Sequence, residues 1–356
     1  MRILVTGVAG FIGMSLARRL LARGDTVIGI DNINDYYSPQ LKHDRLAVLM
    51  DEGGDRFRFH QVDFADHKRL DSVLHGATFD RIAHLGAQPG VRYSIENPRA
   101  YIQSNLVGHA NMLELARDRG VEHMVYASSS SVYGANAKTP FSVDDRVDHP
   151  LSLYAATKKA DELMSETYAH LYRLPLTGLR FFTVYGPWGR PDMAVWLFTK
   201  AILEGRPIAV FNHGEMRRDF TYVDDIVSGV VACLDHPPAD TGVPHAGGSI
   251  APHAIYNIGN HRCEQLGHLI DVVEQACGRK AIRDLQPMQP GDVPATYADI
   301  DAIRRDLGFE PSVSIEIGVP RFVQWYREYH GLAISRSHVP PRRPRATTGA
   351  SATASL

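Results

Sequence analysis

Cysteine is scarce in this chain: Cys233, Cys263 and Cys277 are the only three in 356 residues. They are widely spaced and form no Cys-x-x-Cys pair, so they define neither a disulfide framework nor a zinc site. A reducing, cytoplasmic setting and chemistry without a metal are expected. No run of about 18 apolar residues is present to span a bilayer. The apolar start Met1–Ile12 lacks the basic flank and small-residue cleavage site of a secretory leader. Charge of one sign is also missing, since 38 Lys+Arg stand against 40 Asp+Glu for a net of −2. No overall field therefore draws the protein to nucleic acid or to an acidic membrane surface, and an anionic ligand has to be caught locally. Internal repeats and heptads are absent too.

What is present is the makeup of a globular enzyme, 44% hydrophobic and 22% charged. The length suits two lobes. Arg2–Thr6 is a short apolar run, Phe11–Arg23 carries apolar residues at helical spacing, Gly24 stops that helix, and Asp25–Ile30 is apolar again. This is one βαβ unit. The rhythm continues through strand 57–62, helix 67–74, strand 81–85, helix 101–119, strand 123–127, helix 154–172 and strand 177–182, which specifies a parallel sheet covered on both faces. The expected fold is α/β: a Rossmann-like doubly wound parallel sheet with a smaller C-terminal α/β substrate lobe. Residues 1–180 form the first lobe, with 219–260 as a segment that could return to it, Thr221–Leu234 above all. Residues 181–330 form the second, with helices at Leu266–Cys277 and Ile315–Tyr329. The stretch 331–356 is rich in Pro, Ser, Thr and Ala, carries Arg336, Arg342, Arg343 and Arg345 without acids, and reads as a disordered tail.

The first strand runs into Gly7-Val8-Ala9-Gly10-Phe11-Ile12-Gly13 and then into a helix. Glycines there make a tight turn and admit a pyrophosphate against the backbone, while the helix N-terminus offers free N–H donors. Asp31 ends the second strand eighteen residues after Gly13, placed to accept hydrogen bonds from ribose hydroxyls and to repel a 2′-phosphate, which favours NAD over NADP. Asp63, ending the third strand, is placed to meet the adenine or to cap a helix. Lys158 follows Tyr154 by four residues, so the two share one helix face. An ammonium one turn from a phenol favours phenolate, making Tyr154 a usable general base. Upstream, Ser128-Ser129-Ser130-Ser131-Val132-Tyr133-Gly134 puts a run of hydroxyls at the carboxyl end of a strand, where a parallel sheet meets its ligand.

With these motifs in this order, the chain resembles the extended short-chain dehydrogenases/reductases over about residues 1–330, and among them the nucleotide-sugar epimerases and dehydratases. The segments Asp31–Tyr37, Gly90–Ser94, Gly186–Met193 and Met288–Pro294 are similar to those of UDP-glucuronate 4-epimerases. The resemblance implies NAD as cofactor and Tyr154, Lys158 and Ser129 as catalytic residues. It implies a cofactor site of Gly7, Gly10, Phe11, Ile12, Gly13, Asp31, Asn32, Asp63, Phe64, Leu85, Gly86, Ala87, Asn105 and Phe181, together with Tyr154 and Lys158. It implies a substrate site of Arg92, Ser129, Ser130, Ser131, Thr183, Arg190, Arg218 and Asp292. Dehydratases of this kind carry an Asp–Glu pair where Ser130 and Ser131 stand, uronate decarboxylases carry Glu at the second position, and UDP-galactose epimerases carry Asn in place of Thr183. The expected reaction is therefore interconversion of UDP-glucuronate and UDP-galacturonate through a transient 4-keto sugar, with Arg190, and Arg92 second, as the residue that holds the carboxylate. Alternatives are another UDP-sugar 4-epimerase, a decarboxylase or dehydratase, and a non-catalytic dinucleotide-binding regulator. The resemblance also implies a homodimer built on helices 101–119 and 154–172.

Overall fold

In a computed structural model, residues 1–289 and 291–332 are described. The tail expected at 331–356 lies outside them from residue 333 onward, with all four of its arginines. Seven strands form one parallel sheet: β1 (Arg2–Thr6), β2 (Thr26–Asp31), β3 (Phe57–Gln61), β4 (Arg81–His84), β5 (His123–Ser129), β6 (Leu176–Phe181) and β11 (His253–Ile258). Their spatial order is β11-β6-β5-β4-β1-β2-β3. The order reverses between β1 and β4, whose ends meet where Thr6 pairs with His84. That switch point is where an open parallel sheet leaves a crevice. Four further strands pair in the C-terminal lobe, β12 (Glu264–Gln265) with β9 (Arg217–Arg218) and β13 (Ile282–Leu285) with β8 (Pro207–Val210). β7 (Thr183–Tyr185) and β10 (Phe220–Tyr222) form a separate parallel pair beside them.

The sheet is buried on both faces because successive side chains alternate. Ile3 and Val5 enter one apolar cluster and Leu4 the other. The larger cluster runs without interruption into the C-terminal lobe, taking in Trp196, Leu269 and Phe322, so one core joins both lobes. Helices Leu266–Cys277 and Ile315–Tyr329 fall where their periodicity puts them. None of the helices among the described residues is long and apolar enough to cross a membrane.

Two expectations need correction. Thr221–Leu234 returns to the main sheet as a covering helix and not as a strand: Phe220–Tyr222 pairs with β7, and Val223–Asp235 packs on β5, β6 and helix Phe11–Arg23, burying Val223, Ile226, Val227, Val230, Cys233 and Leu234 on one face. The returning strand is β11. Nor is 101–119 one continuous α-helix. Pro98–Tyr101 is a short turn of helix, Ile102–Val107 is a π-turn, and the regular helix is Gly108–Arg119. The extra residue per turn rolls Asn105 inward, a local irregularity that such turns introduce at functional sites.

Among the described residues four histidines are buried, His84, His109, His123 and His253, and the first three lie among neutral partners. His84 Nδ1 is 2.8 Å from Thr6 Oγ1 and His109 Nε2 is 2.9 Å from Ser165 Oγ. His123 lies between the Leu234 carbonyl at 3.2 Å and Thr177 Oγ1 at 2.9 Å. Burial holds all three neutral, pushing His84 and His123 down to about 3 and His109 well below the ordinary value. Their folded values lie below the unfolded value of about 6.5, so unfolding takes up protons and stability is lost as pH falls below about 6.5. Between pH 7.5 and 5.5 each histidine removes on the order of 1 kcal/mol. Asp161 and Asp219, raised by burial to about 6, titrate the opposite way; protonation in the fold restores somewhat under about 1 kcal/mol each over the same interval. Urea unfolding at the two pH values should show a net loss of roughly 2–3 kcal/mol; equal free energies would refute the neutral buried histidines.

Candidate active site

At the switch point the glycines are required by close approach. Gly7 has φ +66°, and a Cβ on it would lie 2.7 Å from Gly86 Cα. A Cβ on Gly13 would lie 2.1 Å from the Gly7 carbonyl oxygen. No side chain caps the helix Phe11–Arg23 and no acid lies in its first turn, so its leading N–H groups are left to a ligand. This cradle fits the pyrophosphate of a dinucleotide. Phe11 is buried beneath it and Ile12 is half-buried.

Asp31 is 7% exposed and its carboxylate accepts from Ala9 N at 3.2 Å and Ile33 N at 2.9 Å. Burial pushes its carboxyl up, opposed by Lys42 with Nζ at 4.0 Å. Asn32 Nδ2 donates to Asp63 Oδ2 at 3.0 Å, bringing these two candidates together at the ends of β2 and β3. Gly86 N donates to Thr6 Oγ1 at 2.9 Å, which seats the Leu85–Ala87 segment over the glycine turn, with the Phe64 ring against Gly86. Asn105 is a brace: its Oδ1 accepts from Gln88 N at 2.8 Å, and its Nδ2 donates to Gln88 O and to Thr157 Oγ1 at 3.2 and 3.0 Å. Phe181 ends β6, buried.

Two residues the motif reading missed stand behind this cradle. Lys42 Nζ donates to Asn34 Oδ1 at 2.7 Å. Arg45 is completely buried and donates to the carbonyls of Ala9, Trp188 and Gly189 and to the Tyr37 hydroxyl at 2.6–3.1 Å. Its guanidinium is hydrogen-bonded to no carboxylate, so it supplies positive potential behind the turn that would hold a diphosphate. The signal was there: both charges sit on the helix Pro39–Gly53 on the side that buries Leu41, Leu46 and Leu49.

Helix Leu153–Tyr172 presents Tyr154 and Lys158, and its N-cap Ser152 accepts from Ala155 N at 3.1 Å. Lys158 is buried and donates to Ala127 O at 2.8 Å and Asp161 Oδ2 at 3.0 Å. The Tyr154 ring stands edge-on to Tyr101, centroids 6.0 Å apart. The serine run ends β5 and opens a tight turn in which Ser129 Oγ accepts from Ser131 N at 3.1 Å and donates to Ser131 Oγ at 3.1 Å. Directly below lies a second feature the motifs did not show. Glu162 is clamped by Arg180 through two bonds of 2.8 and 2.9 Å and by Ser128 at 2.8 Å. Arg180 also donates to the Tyr133 hydroxyl, which donates to Asn257. Burial opposes the Glu162 charge, but Arg180 prevails and holds its carboxyl below the ordinary range.

Ser130, Ser131, Thr183, Arg218 and Asp292 line one cavity of about 130 Å³, with Tyr133, Gly134 and Phe141. Ser129 adjoins it through Ser131, and Arg92 reaches it by donating to Asp292 at 3.1 Å while lying over the Phe211 ring. Arg190 is not among the lining residues. It donates to both oxygens of Asp192, at 3.1 and 2.5 Å, and lies over Tyr36, whose hydroxyl also donates to Asp192. It is nonetheless close enough for its charge to act on Tyr101 and to feel Tyr154. A larger cavity of about 720 Å³ between the 236–246 loop and helix Asp301–Leu307 contains none of the candidates. With no candidate side chain in its lining, size alone does not make it the reaction site.

Residues 4–322 match the profile of the GDP-mannose 4,6 dehydratase family. A probable UDP-glucuronate 4-epimerase of Rhizobium meliloti is 48% identical over 94% of this chain and 99% of its own length. UDP-glucuronate 4-epimerase 1 of Arabidopsis thaliana is 45% identical over 92% of this chain and 77% of its own. The crystal structure of UDP-glucuronic acid 4-epimerase from Bacillus cereus, in complex with UDP-glucuronic acid and NAD, is similar with a TM-score of 0.80 at 32% identity, covering 92% of this chain and 100% of that one. The glycine cradle at the switch point, the Tyr154–Lys158 pair and these matches agree, and the chain belongs to the family of NAD-dependent nucleotide-sugar epimerases and dehydratases, the extended short-chain dehydrogenases/reductases.

Proposed function

We propose that the protein is an NAD-dependent UDP-glucuronate 4-epimerase producing UDP-galacturonate. The observation that carries this reading is the cavity that Ser152, at the N-cap of the Tyr154 helix, helps to line: hydroxyls of Ser130, Ser131 and Thr183 face it, and among the described residues its one lining acid, Asp292, is engaged by Arg92. Elimination of water needs a further acid/base at the sugar; epimerisation does not. Bound NAD supplies the two-electron acceptor and donor at the sugar carbon. The chain's own part is to hold and move a proton. Tyr154 takes the proton of the 4-hydroxyl on its phenolate oxygen and later returns it, so no net proton is released. Lys158 holds the cofactor ribose and stabilises that phenolate. Ser129 and its neighbours bond the sugar oxygens, Arg218 meets the diphosphate, and Asp292 meets the uridine ribose.

The uronate carboxylate requires a partner that keeps it from leaving as carbon dioxide, and Arg190 has the planar fork for it. Asp192 occupies that fork in this structure. Arg190→Ala should lower kcat/KM on UDP-glucuronate by roughly 10- to 100-fold, as for a charged hydrogen-bonded pair, and spare a neutral UDP-hexose. Equal loss on both would remove Arg190 from this role.

The assembly read here is a homodimer. Leu163, Leu171 and Tyr172 on helix Leu153–Tyr172, with Ile102 and Val107 on the neighbouring segment, are exposed apolar side chains suited to a self-complementary face. The location read here is the cytosol, in keeping with three free thiols.

A further inference from the structure

Lys158 carries three N–H donors. One goes to Ala127 O and one to Asp161 Oδ2, leaving one for a ligand. Asp161 lies three residues beyond Lys158 and seven beyond Tyr154, on the same helix face. Its side chain is 1% exposed, and its Oδ1 is buried without a hydrogen-bond partner. A buried carboxylate with one oxygen unpaired is costly, and packing alone would be met by an apolar residue.

The surrounding groups leave Asp161 as the one anion that answers Lys158. On its own helix Glu162 is committed to Arg180, which projects from β6, and Lys159 pairs with that same Glu162. From helix Gly108–Arg119, His109 faces it with its ring on Ser165; from β4 comes His84, and from β5 the Tyr126 hydroxyl. Burial keeps both histidines neutral.

We propose that Asp161 is the positioning counter-ion of Lys158, so that Tyr154, Lys158 and Asp161 act as one linked set and the charge on Asp161 sets how far into acid the enzyme turns over. The ionised carboxylate fixes the ammonium beneath Tyr154 and cancels part of its field. Burial raises the Asp161 carboxyl, against the pull of Lys158.

Asp161→Asn keeps an acceptor for Lys158 and removes the anion. The uncompensated ammonium then favours the phenolate more strongly, and the acid limb of the kcat profile should move about one pH unit lower, with KM within twofold. Asp161→Ala also loses the anchor, so its limb should shift likewise while its plateau kcat falls about tenfold. In the protein freed of cofactor, ¹³C-aspartate NMR should show one buried carboxyl whose midpoint rises by about one pH unit in Lys158→Met. An Asp161→Asn profile that superimposes on the parent or moves to higher pH would overturn the proposal, as would a carboxyl midpoint indifferent to Lys158.

Discussion

Tyr154→Phe should lower kcat by about 10²- to 10⁴-fold, the span expected for loss of a general acid–base group. KM should stay within threefold and the melting temperature close to that of the parent. The substitution removes one oxygen and leaves the ring, so the edge-on contact with Tyr101 and the helix beneath it are kept. Lys158 keeps both of its bonds, to Ala127 O and Asp161, because neither involves the phenol. Steady-state kinetics with a thermal melt separates the two effects. A loss smaller than tenfold would mean that another group moves the proton.

The largest effect on stability is expected at Arg180. Arg180→Met removes both bonds to Glu162 and leaves a carboxylate that is 1% exposed with only the partly exposed Lys159, at 3.3 Å, to answer it. Breaking one half of a buried pair costs about 3–5 kcal/mol. Glu162→Leu added to Arg180→Met should recover most of that loss, since two apolar residues replace the pair and no buried charge remains. Denaturant unfolding of the two single variants and the double variant measures this directly. A cost below about 1 kcal/mol for Arg180→Met would show that water reaches Glu162. Kinetically the pair also matters, because Ser128, Tyr133 and Asn257 hang on it and the Ser129–Ser131 turn lies directly above.

The parts of this arrangement that were legible in the sequence are local ones. The Gly7–Gly13 turn, the four-residue step from Tyr154 to Lys158 and the apolar faces of Leu266–Cys277 and Ile315–Tyr329 each fit inside a dozen or so residues, where periodicity and turn chemistry act. The parts that were hidden depend on contacts across the chain. The π-turn at Ile102–Val107 places Asn105 on Gln88 and Thr157, and nothing within the turn encodes those partners. Glu162 on a helix of mixed polarity reads as a solvated residue until Arg180 arrives from β6. β11 lies within the 219–260 segment expected as a possible return to the first lobe, but Pro237, Pro238, Pro244 and Pro252 before it hid which residues form the strand. Asn105, expected at the cofactor site, braces Gln88 against Thr157 of helix Leu153–Tyr172, a role that spacing alone does not distinguish from ligand contact.

The most direct test of the central claim is to incubate the purified protein with UDP-glucuronate and no added reductant, following the anomeric proton signals by NMR. The account predicts that UDP-galacturonate appears at unchanged total uronate, with no carbon dioxide released. A UDP-pentose accompanied by carbon dioxide, or a spectrum of UDP-glucuronate that never changes, would contradict it.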